Sequence, residues 1–181
     1  MLTHLRTAFV AAIVVSAIWA VDAAAFWPFV KPRIDLAPSY GGACEGCDLS
    51  GRILAGARLN DANFNNSDFS SAVLMRANAS GSEFAGANFT DADMRRSRLV
   101  GAVCPRAVFA RAMLNNADAR GADFRRADFS EANVSRMNLE AADISGADLS
   151  TAEGLTQAQL DRACGDRRTR LPQGLRVRIC D

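Results

Sequence analysis

The strongest pattern in the chain is a hydrophobic residue at every fifth position from Leu49 to Leu149. We call these 21 residues the central positions, and the series contains no insertion or deletion. A small residue, alanine or serine, stands two residues before each central position, except at Cys47, Arg52 and Met137. A short period without slippage is typical of a protein built from stacked repeats.

A period of five residues fits neither an α-helix, with 3.6 residues per turn, nor a flat strand, with a period of two. The chain must therefore turn a corner every five residues, with one small and one large side chain pointing inward on each side. The residues between the central positions are rich in Gly, Asn, Asp and Ser, which favour turns.

Several of the repeats resemble the A-(D/N)-L-x-x motif of the pentapeptide-repeat family. The closest matches in this chain are Ala62-Asn63-Phe64, Ala122-Asp123-Phe124, Ala127-Asp128-Phe129 and Ala147-Asp148-Leu149. The resemblance covers residues 47–151. It implies an all-β fold, a right-handed quadrilateral β-helix with four pentapeptides in each coil.

A second period of 20 residues supports four sides per coil independently of that resemblance. Phe69 and Phe84 share a predicted coil with the small Ala79, whereas the coil that contains Phe89 has Leu99 at the matching position. Side-chain volume is thus balanced within each coil, as a closely packed interior requires. The sequence predicts about five coils, stacked into a rod about 25 Å long at the spacing of β-strands.

The repeats divide the chain into four predicted segments. Residues 1–25 are predicted to be a signal peptide and residues 26–46 an extended linker or N-terminal cap. Residues 47–151 form the repeats. Residues 152–181 form a C-terminal cap, with a short helix over about 157–164 followed by an extended strand, because Thr156 and Gln159 make a capping box.

The first segment has the order of a secretory leader. A positively charged start precedes an apolar run over residues 8–21, and small residues follow, which predicts cleavage after Ala25. This predicts a periplasmic or secreted protein that has no membrane contact once the leader is removed. The alternative is a protein anchored in a membrane by residues 8–21.

Composition limits the chemistry. The formal net charge is +1, which argues against nucleic-acid binding driven by bulk charge. His4 in the leader is the single histidine, so the mature chain has no histidine for acid–base catalysis or metal binding. We predict no catalytic residues, no metal site and no cofactor, and therefore a protein that is not an enzyme.

The five cysteines are interpreted by position. Cys164 and Cys180 flank the C-terminal cap and are candidates for a disulfide in an oxidising compartment. Cys44 and Cys47 form a CxxC, which we interpret as a local disulfide or two packed thiols, with thiol exchange as the alternative. Cys104 occupies a central position and is predicted to be a buried, small hydrophobic residue.

One outward surface is a candidate for binding a protein partner. Steps of 20 residues bring together a column of arginines and apolar neighbours, which together are typical of partner surfaces. The residues are Arg76, Arg95, Arg96 and Arg136, with Val73, Met75 and Met113 beside them. The alternative is a column of arginines that serves only as a solvated surface.

The predicted function is an exported, non-enzymatic binding module or structural scaffold with an unknown protein partner. The resemblance also offers an alternative, a cytoplasmic mimic of DNA that binds type II topoisomerases through an acidic surface. Here Asn88 and Val108 interrupt the corresponding acidic column, which argues against it. The sequence does not predict the oligomeric state.

Overall fold

The structure is a computed structural model that describes residues 44–180. The predicted leader and the predicted linker up to residue 43 lie outside the described residues.

Parallel pairing between residues 20 apart dominates the described part of the chain. Single-residue bridges join each repeat to the one four repeats later, from Asp48 with Asp68 to Asn133 with Glu153. On each side the amide of a central residue also donates to the next coil, as Leu54 N does to Val73 O at 2.7 Å. One coil therefore contains 20 residues on four sides, which confirms the 20-residue period of the sequence.

A tight turn makes each corner. The amide three residues after a central position donates to the carbonyl of that central residue, as Ala57 N does to Leu54 O at 3.0 Å. The residue two after the central position has a positive φ, for example 68° at Gly56 and 57° at Arg76, as a type II turn requires. We call these residues the corner positions.

The interior consists of the central and small positions. All central side chains are at most 6 % exposed. The first side of the rod consists of Leu49 and every twentieth residue after it, and its four phenylalanines stack along the rod. Ring centroids in this stack of Phe69, Phe89, Phe109 and Phe129 are 4.9, 5.0 and 4.9 Å apart. The rod thus has one continuous hydrophobic core.

The ladder begins three residues earlier than predicted. Cys44 N already donates to Asn63 O at 2.7 Å and Gly46 N to Asn65 O at 2.9 Å, although the sequence placed the first repeat at residue 47. Because Gly46 takes the corner conformation, with φ of 67°, residues 44–46 form part of the first coil.

The helix after the repeats, α1, spans Gln157–Leu160. Gln159 Oε1 accepts a hydrogen bond from Thr156 N at 2.9 Å, as the capping box predicts. The predicted end at residue 164 is wrong, because Cys164 is extended and pairs with the last coil. Its amide donates to Ala142 O at 3.0 Å and its carbonyl accepts from Ile144 N at 2.8 Å.

Two short strands follow, β1 at Cys164–Gly165 and β2 at Arg178–Ile179, which pair in parallel. Between them, Arg170 pairs with Asp148 of the last coil. The extended strand that the sequence predicted is therefore only two residues long. Leu160 and Ala163 are buried against the core at this end.

Candidate protein-binding surface

The second side of the rod has Leu54, Leu74, Met94, Leu114 and Val134 as its central residues. The corner positions of this side form a column that runs along the rod. Stepping by one coil, the column contains Gly56, Arg76, Arg96, Asn116 and Arg136. The four residues after Gly56 all have φ between 57° and 61°. Because neighbouring coils are spaced like paired strands, successive side chains start about 4.8 Å apart.

A shallow groove of about 250 Å³ lies on this column, and we call it the second-side groove. Its lining residues are Met75, Arg76, Arg95, Arg96, Asn115 and Asn116. Four of these were predicted from the sequence as partner-surface residues, namely Met75, Arg76, Arg95 and Arg96. The sequence prediction did not count the two asparagines as part of the surface, because Asn116 interrupts the arginine column, although a step of 20 residues from Arg95 and Arg96 leads directly to them.

Arg95 is held by its own coil. Its Nε lies 2.8 Å from Asp93 Oδ1 and its Nη2 lies 2.7 Å from Asp93 Oδ2, so the two residues form a bidentate ion pair. The hydrogen bond from Arg95 lowers the pKa of the Asp93 carboxyl below its ordinary value. The same Nη2 is 3.1 Å from the sulfur of Met75. Arg95 therefore fixes one wall of the groove, and Asp93 balances its charge.

Arg76 and Arg96 differ from Arg95. Both side chains are exposed, and neither makes an ion pair or a side-chain hydrogen bond with any residue from 44 to 180. Two guanidinium groups, each with five N–H donors, are therefore available to a ligand. Beside them lie a thioether and two amide side chains that can make further contacts.

The remaining predicted surface residues lie elsewhere. Arg136 lines a separate groove of about 240 Å³ together with Ala158 and Gln159 at α1. Val73 and Met113 flank Asp93 in the pairing ladder on the flat second side, where Val73 is half-buried and Met113 is 39 % exposed. The structure thus separates the predicted surface into the second-side groove, a flat face and the groove of Arg136 at α1.

Four of the cysteines are bonded in the structure. Cys44 is joined to Cys47 across the corner of the first coil, and Cys164 to Cys180 between β1 and the residue after β2. Cys104 is free and fully buried, and burial raises the pKa of its thiol far above the ordinary value.

A group of possible metal ligands occurs at the C-terminal end. It consists of Asp143 with Cys164 and Cys180, whose ligand atoms lie within 4.8 Å of one another. Because both sulfurs are bonded to each other, no thiolate is present to bind a soft metal ion. The neighbouring atoms are instead used in weak contacts, such as the 3.3 Å approach of Cys180 Sγ to Asp143 Oδ1.

Residues 44–180 contain no helix with the length and apolar character needed to span a membrane. The apolar run at 8–21 lies outside this range.

Comparison with known protein families gives one result. The pentapeptide repeats family matches in eight copies, over residues 44–78, 69–103, 87–126 and 120–153. A search of curated proteins finds no match.

Solved structures of the same kind are similar to this chain. A pentapeptide repeat protein from the thylakoid lumen of Arabidopsis thaliana is 28 % identical, with 56 % of this chain and 67 % of that chain covered and a TM-score of 0.45. One from the cyanobacterium Cyanothece 51142 is 18 % identical, with 71 % and 90 % covered and a TM-score of 0.41.

A trypsin-treated variant of QnrB1, a plasmid-mediated fluoroquinolone resistance protein, is 18 % identical, with 76 % and 87 % covered and a TM-score of 0.35. Since all three TM-scores are below 0.5, the assignment rests on the repeat match. That match covers more than half of the chain and agrees with the 20-residue pairing. The chain belongs to the pentapeptide repeat family, whose fold is the right-handed quadrilateral β-helix.

Proposed function

We propose that this protein is an exported, non-enzymatic module that binds an acidic segment of a protein partner in the second-side groove. The observation that carries the proposal is the pair of unpartnered guanidinium groups of Arg76 and Arg96, one coil apart in a single groove. Arginine is the side chain best suited to carboxylate recognition, because its planar group can make two parallel hydrogen bonds.

The backbone at these two positions supports a binding role. An L-residue in the left-handed region costs about 1–2 kcal/mol, and glycine avoids this cost. Gly56 takes the same corner one coil before Arg76, so glycine fits this turn. The turn also accepts other residues, such as Ala141 with φ of 57°, so the backbone does not require arginine at 76 and 96 and leaves both side chains available for binding.

The composition of the groove favours binding over catalysis. Its three charged groups are guanidiniums, which remain protonated in proteins and cannot exchange protons as a general acid or base. Its other lining groups are amides and a thioether. The ladder on both sides of the groove is hydrogen-bonded from coil to coil, which presents the two arginines on a rigid support.

Export is supported by the cysteines and by the apolar run. Two disulfides in a small protein are typical of oxidising compartments. Residues 8–21 and the small residues up to Ala25 have the pattern of a cleaved leader. In this view the mature chain begins at Phe26.

The intact mass of the native protein tests the export proposal. We expect a chain that starts at Phe26, lacks the hydrogens of four thiols, and takes up one alkyl group only after denaturation. A full-length chain with five thiols that react after denaturation without reduction would rule out export.

The two alternative functions have less support. The acidic surface needed for a DNA mimic is partly neutralised by arginines, for instance where Arg111 binds Asp91 of the preceding coil at 2.7 and 2.8 Å. For thiol exchange, both Cys44 and Cys47 are only partly exposed and pack against the core. A reactive cysteine also needs positively charged surroundings that stabilise its thiolate, whereas the charged neighbours along the chain here are Glu45 and Asp48.

Chemical cross-linking in the exported fraction, followed by mass spectrometry, tests the binding proposal. The variant R76E/R96E reverses both charges in the second-side groove. The matched control is R106E/R126E, which reverses two other exposed corner arginines that are also one coil apart and have φ of 60°.

We expect R76E/R96E to lose a cross-linked partner that the wild type and the control both retain. The cross-links of that partner should map to a segment rich in Asp and Glu. Equal retention by both variants, with both folded by circular dichroism, would contradict the proposal.

A further inference from the structure

The fourth side of the rod has Phe64, Phe84, Cys104, Phe124 and Ile144 as its central residues. A second groove, of about 420 Å³, lies on this side next to the C-terminal segment, and we call it the fourth-side groove. Its charged lining comes from three levels of the rod, namely Arg106, then Arg125 with Arg126, and finally Asp166 with Arg168. Ser145 and Gly146 form an uncharged level between the second and the third of these. No residue of this groove belongs to the second-side groove.

Three of its four arginines have no internal partner. Arg106, Arg126 and Arg168 are exposed and make no ion pair with any residue in the described range 44–180. Arg125 is different, since it binds Asp123 at 2.9 and 2.6 Å and lies 4.0 Å from Asp143. The groove therefore offers three free guanidiniums, with the fourth arginine already balanced.

The single carboxylate of the lining is occupied by the backbone. Asp166 Oδ1 accepts hydrogen bonds from the amides of Gly146 at 2.8 Å and Arg168 at 2.9 Å. It also accepts one from the amide of Thr169 at 3.0 Å. Asp166 thus acts as the anchor that fixes the loop carrying Arg168 to the last coil, and the three free cations outnumber it.

The floor of the groove depends on Gly146. This glycine has φ of 68°, and a Cβ placed on it would lie 3.3 Å from Cγ of Arg126. A side chain at this corner would therefore crowd the stem of Arg126. Gly146 leaves open the level above Arg126, so Arg126 and Arg168 face the same space from either side of it.

Like charges held this close repel one another, since Arg106 and Arg126 start about 4.8 Å apart on adjacent coils. An anion with several oxygens removes that repulsion and accepts hydrogen bonds from more than one guanidinium. A single carboxylate has only two oxygens and one negative charge. A phosphate group with two negative charges matches three free arginines in one groove better.

We propose that the fourth-side groove is a binding site for a phosphate group with two negative charges, held by Arg106, Arg126 and Arg168. The phosphate belongs either to a soluble ligand or to the headgroup of a lipid, because both present the same oxygens. This site is independent of the proposed protein partner, which uses the second-side groove.

Isothermal titration calorimetry with inorganic pyrophosphate, at low and constant ionic strength, tests the site. We expect one saturable site per chain in the wild type. R106E/R126E should weaken binding by about a hundredfold, because each guanidinium contributes about tenfold as a charge-assisted hydrogen bond. R76E/R96E is the control and should bind as the wild type does.

Further variants keep the test informative if charge reversal harms folding. R106Q/R126Q removes the charges with little change in size, and G146A keeps all arginines while crowding Arg126. Each should bind pyrophosphate more weakly than the wild type does. Circular dichroism and thermal unfolding show which variants are folded.

Vesicles of phosphatidylcholine with and without phosphatidic acid distinguish the two sources of phosphate. Co-sedimentation with the phosphatidic acid vesicles that pyrophosphate abolishes identifies a lipid headgroup, and titration without co-sedimentation identifies a soluble ligand. The proposal is overturned by the absence of saturable pyrophosphate binding, or by equal weakening in R106E/R126E and R76E/R96E.

Discussion

Arginines at the corners of the coil fall into two groups according to what lies one coil away. Arg111 has the same backbone conformation as Arg76, with φ of 56° and 57°, yet it binds Asp91 of the preceding coil. Around Arg76 the corresponding positions hold Gly56 and Arg96, so no carboxylate is available in the column. The partner of a corner arginine is therefore decided by the residue 20 positions away, and the unpartnered arginines are free to bind ligands.

Paired carboxylates make stability depend on pH. Hydrogen bonds from Arg95 and Arg120 lower the pKa of Asp93 and Asp118 below the ordinary value in the folded protein. A carboxyl whose pKa is lower in the folded state stabilises the fold above its unfolded pKa, near 4, and loses that contribution as pH falls through the folded pKa.

We therefore expect the free energy of unfolding, measured with urea, to be constant from pH 7 to about pH 5 and to fall below about pH 4. The variant D93N should be less stable than the wild type at pH 7, and the two curves should converge in acid. Curves that remain parallel down to pH 2 would show that the Asp93–Arg95 pair contributes nothing.

Each coil is stabilised mainly by the side chains at its central positions. Phe89 is 1 % exposed and stacks on Phe69 at 4.9 Å and on Phe109 at 5.0 Å, with interplanar angles of 12° and 1°. Its ring also meets Phe84 edge-on at 5.3 Å. One phenylalanine thus connects three coils, and its loss should destabilise all three.

Truncation of Phe89 tests the role of this stack. Phe89→Ala should lower the free energy of unfolding by about 3–5 kcal/mol, the usual range for a buried phenylalanine. Ile53→Ala is the control, because Ile53 is 74 % exposed and a surface change usually costs less than about 0.5 kcal/mol. Similar losses in the two variants would contradict the inward assignment of the central positions.

The sequence predicted the elements that depend on a strict repeat. Inward residues such as Phe89 follow directly from the five-residue period, and the balance of Phe84 against Ala79 revealed the coil. The end of α1 at Leu160 was not predictable in this way, because Cys164 is drawn into the coil by pairing with a distant segment. Sequence signals for a helix are local, so they do not reveal that pairing with a distant segment competes with the helix.

The surface sites were also predictable only in part from the sequence. The sequence placed Arg76, Arg95 and Arg96 together, but it could not show that Asp93 balances Arg95 alone, which depends on side-chain rotamers. The fourth-side groove was missed because Arg168 comes from the loop after the repeats, where a step of 20 residues no longer predicts neighbours.

As a whole, the described molecule is a stack in which each coil contacts only the coils next to it. In such a stack the end coils have one neighbour and are the first to open. The two disulfides lie near the two ends of the described segment, at Cys44–Cys47 and Cys164–Cys180. Covalent links at these places oppose opening of the end coils.

Removal of the C-terminal disulfide should therefore destabilise that end. The two cysteines are separated by 16 positions, and a loop of this size corresponds to about 3 kcal/mol in the loop-entropy estimate. We expect C164A/C180A to lose stability of this order, and hydrogen exchange to accelerate first between residues 142 and 180. C44A/C47A should lose less, since its loop spans only 3 positions. Uniform acceleration along the chain would contradict this account.

In our interpretation, the inward residues make the fold, while the unpartnered corner arginines serve binding. The most direct test is the free energy of unfolding of the variant R76G/R96G/R106G/R126G. Glycine removes the backbone strain at each corner but increases the entropy of the unfolded chain, so the two effects nearly cancel. We predict a free energy of unfolding no more than about 1 kcal/mol below that of the wild type. A loss of several kcal/mol would show that the four arginines are structural and would contradict this interpretation.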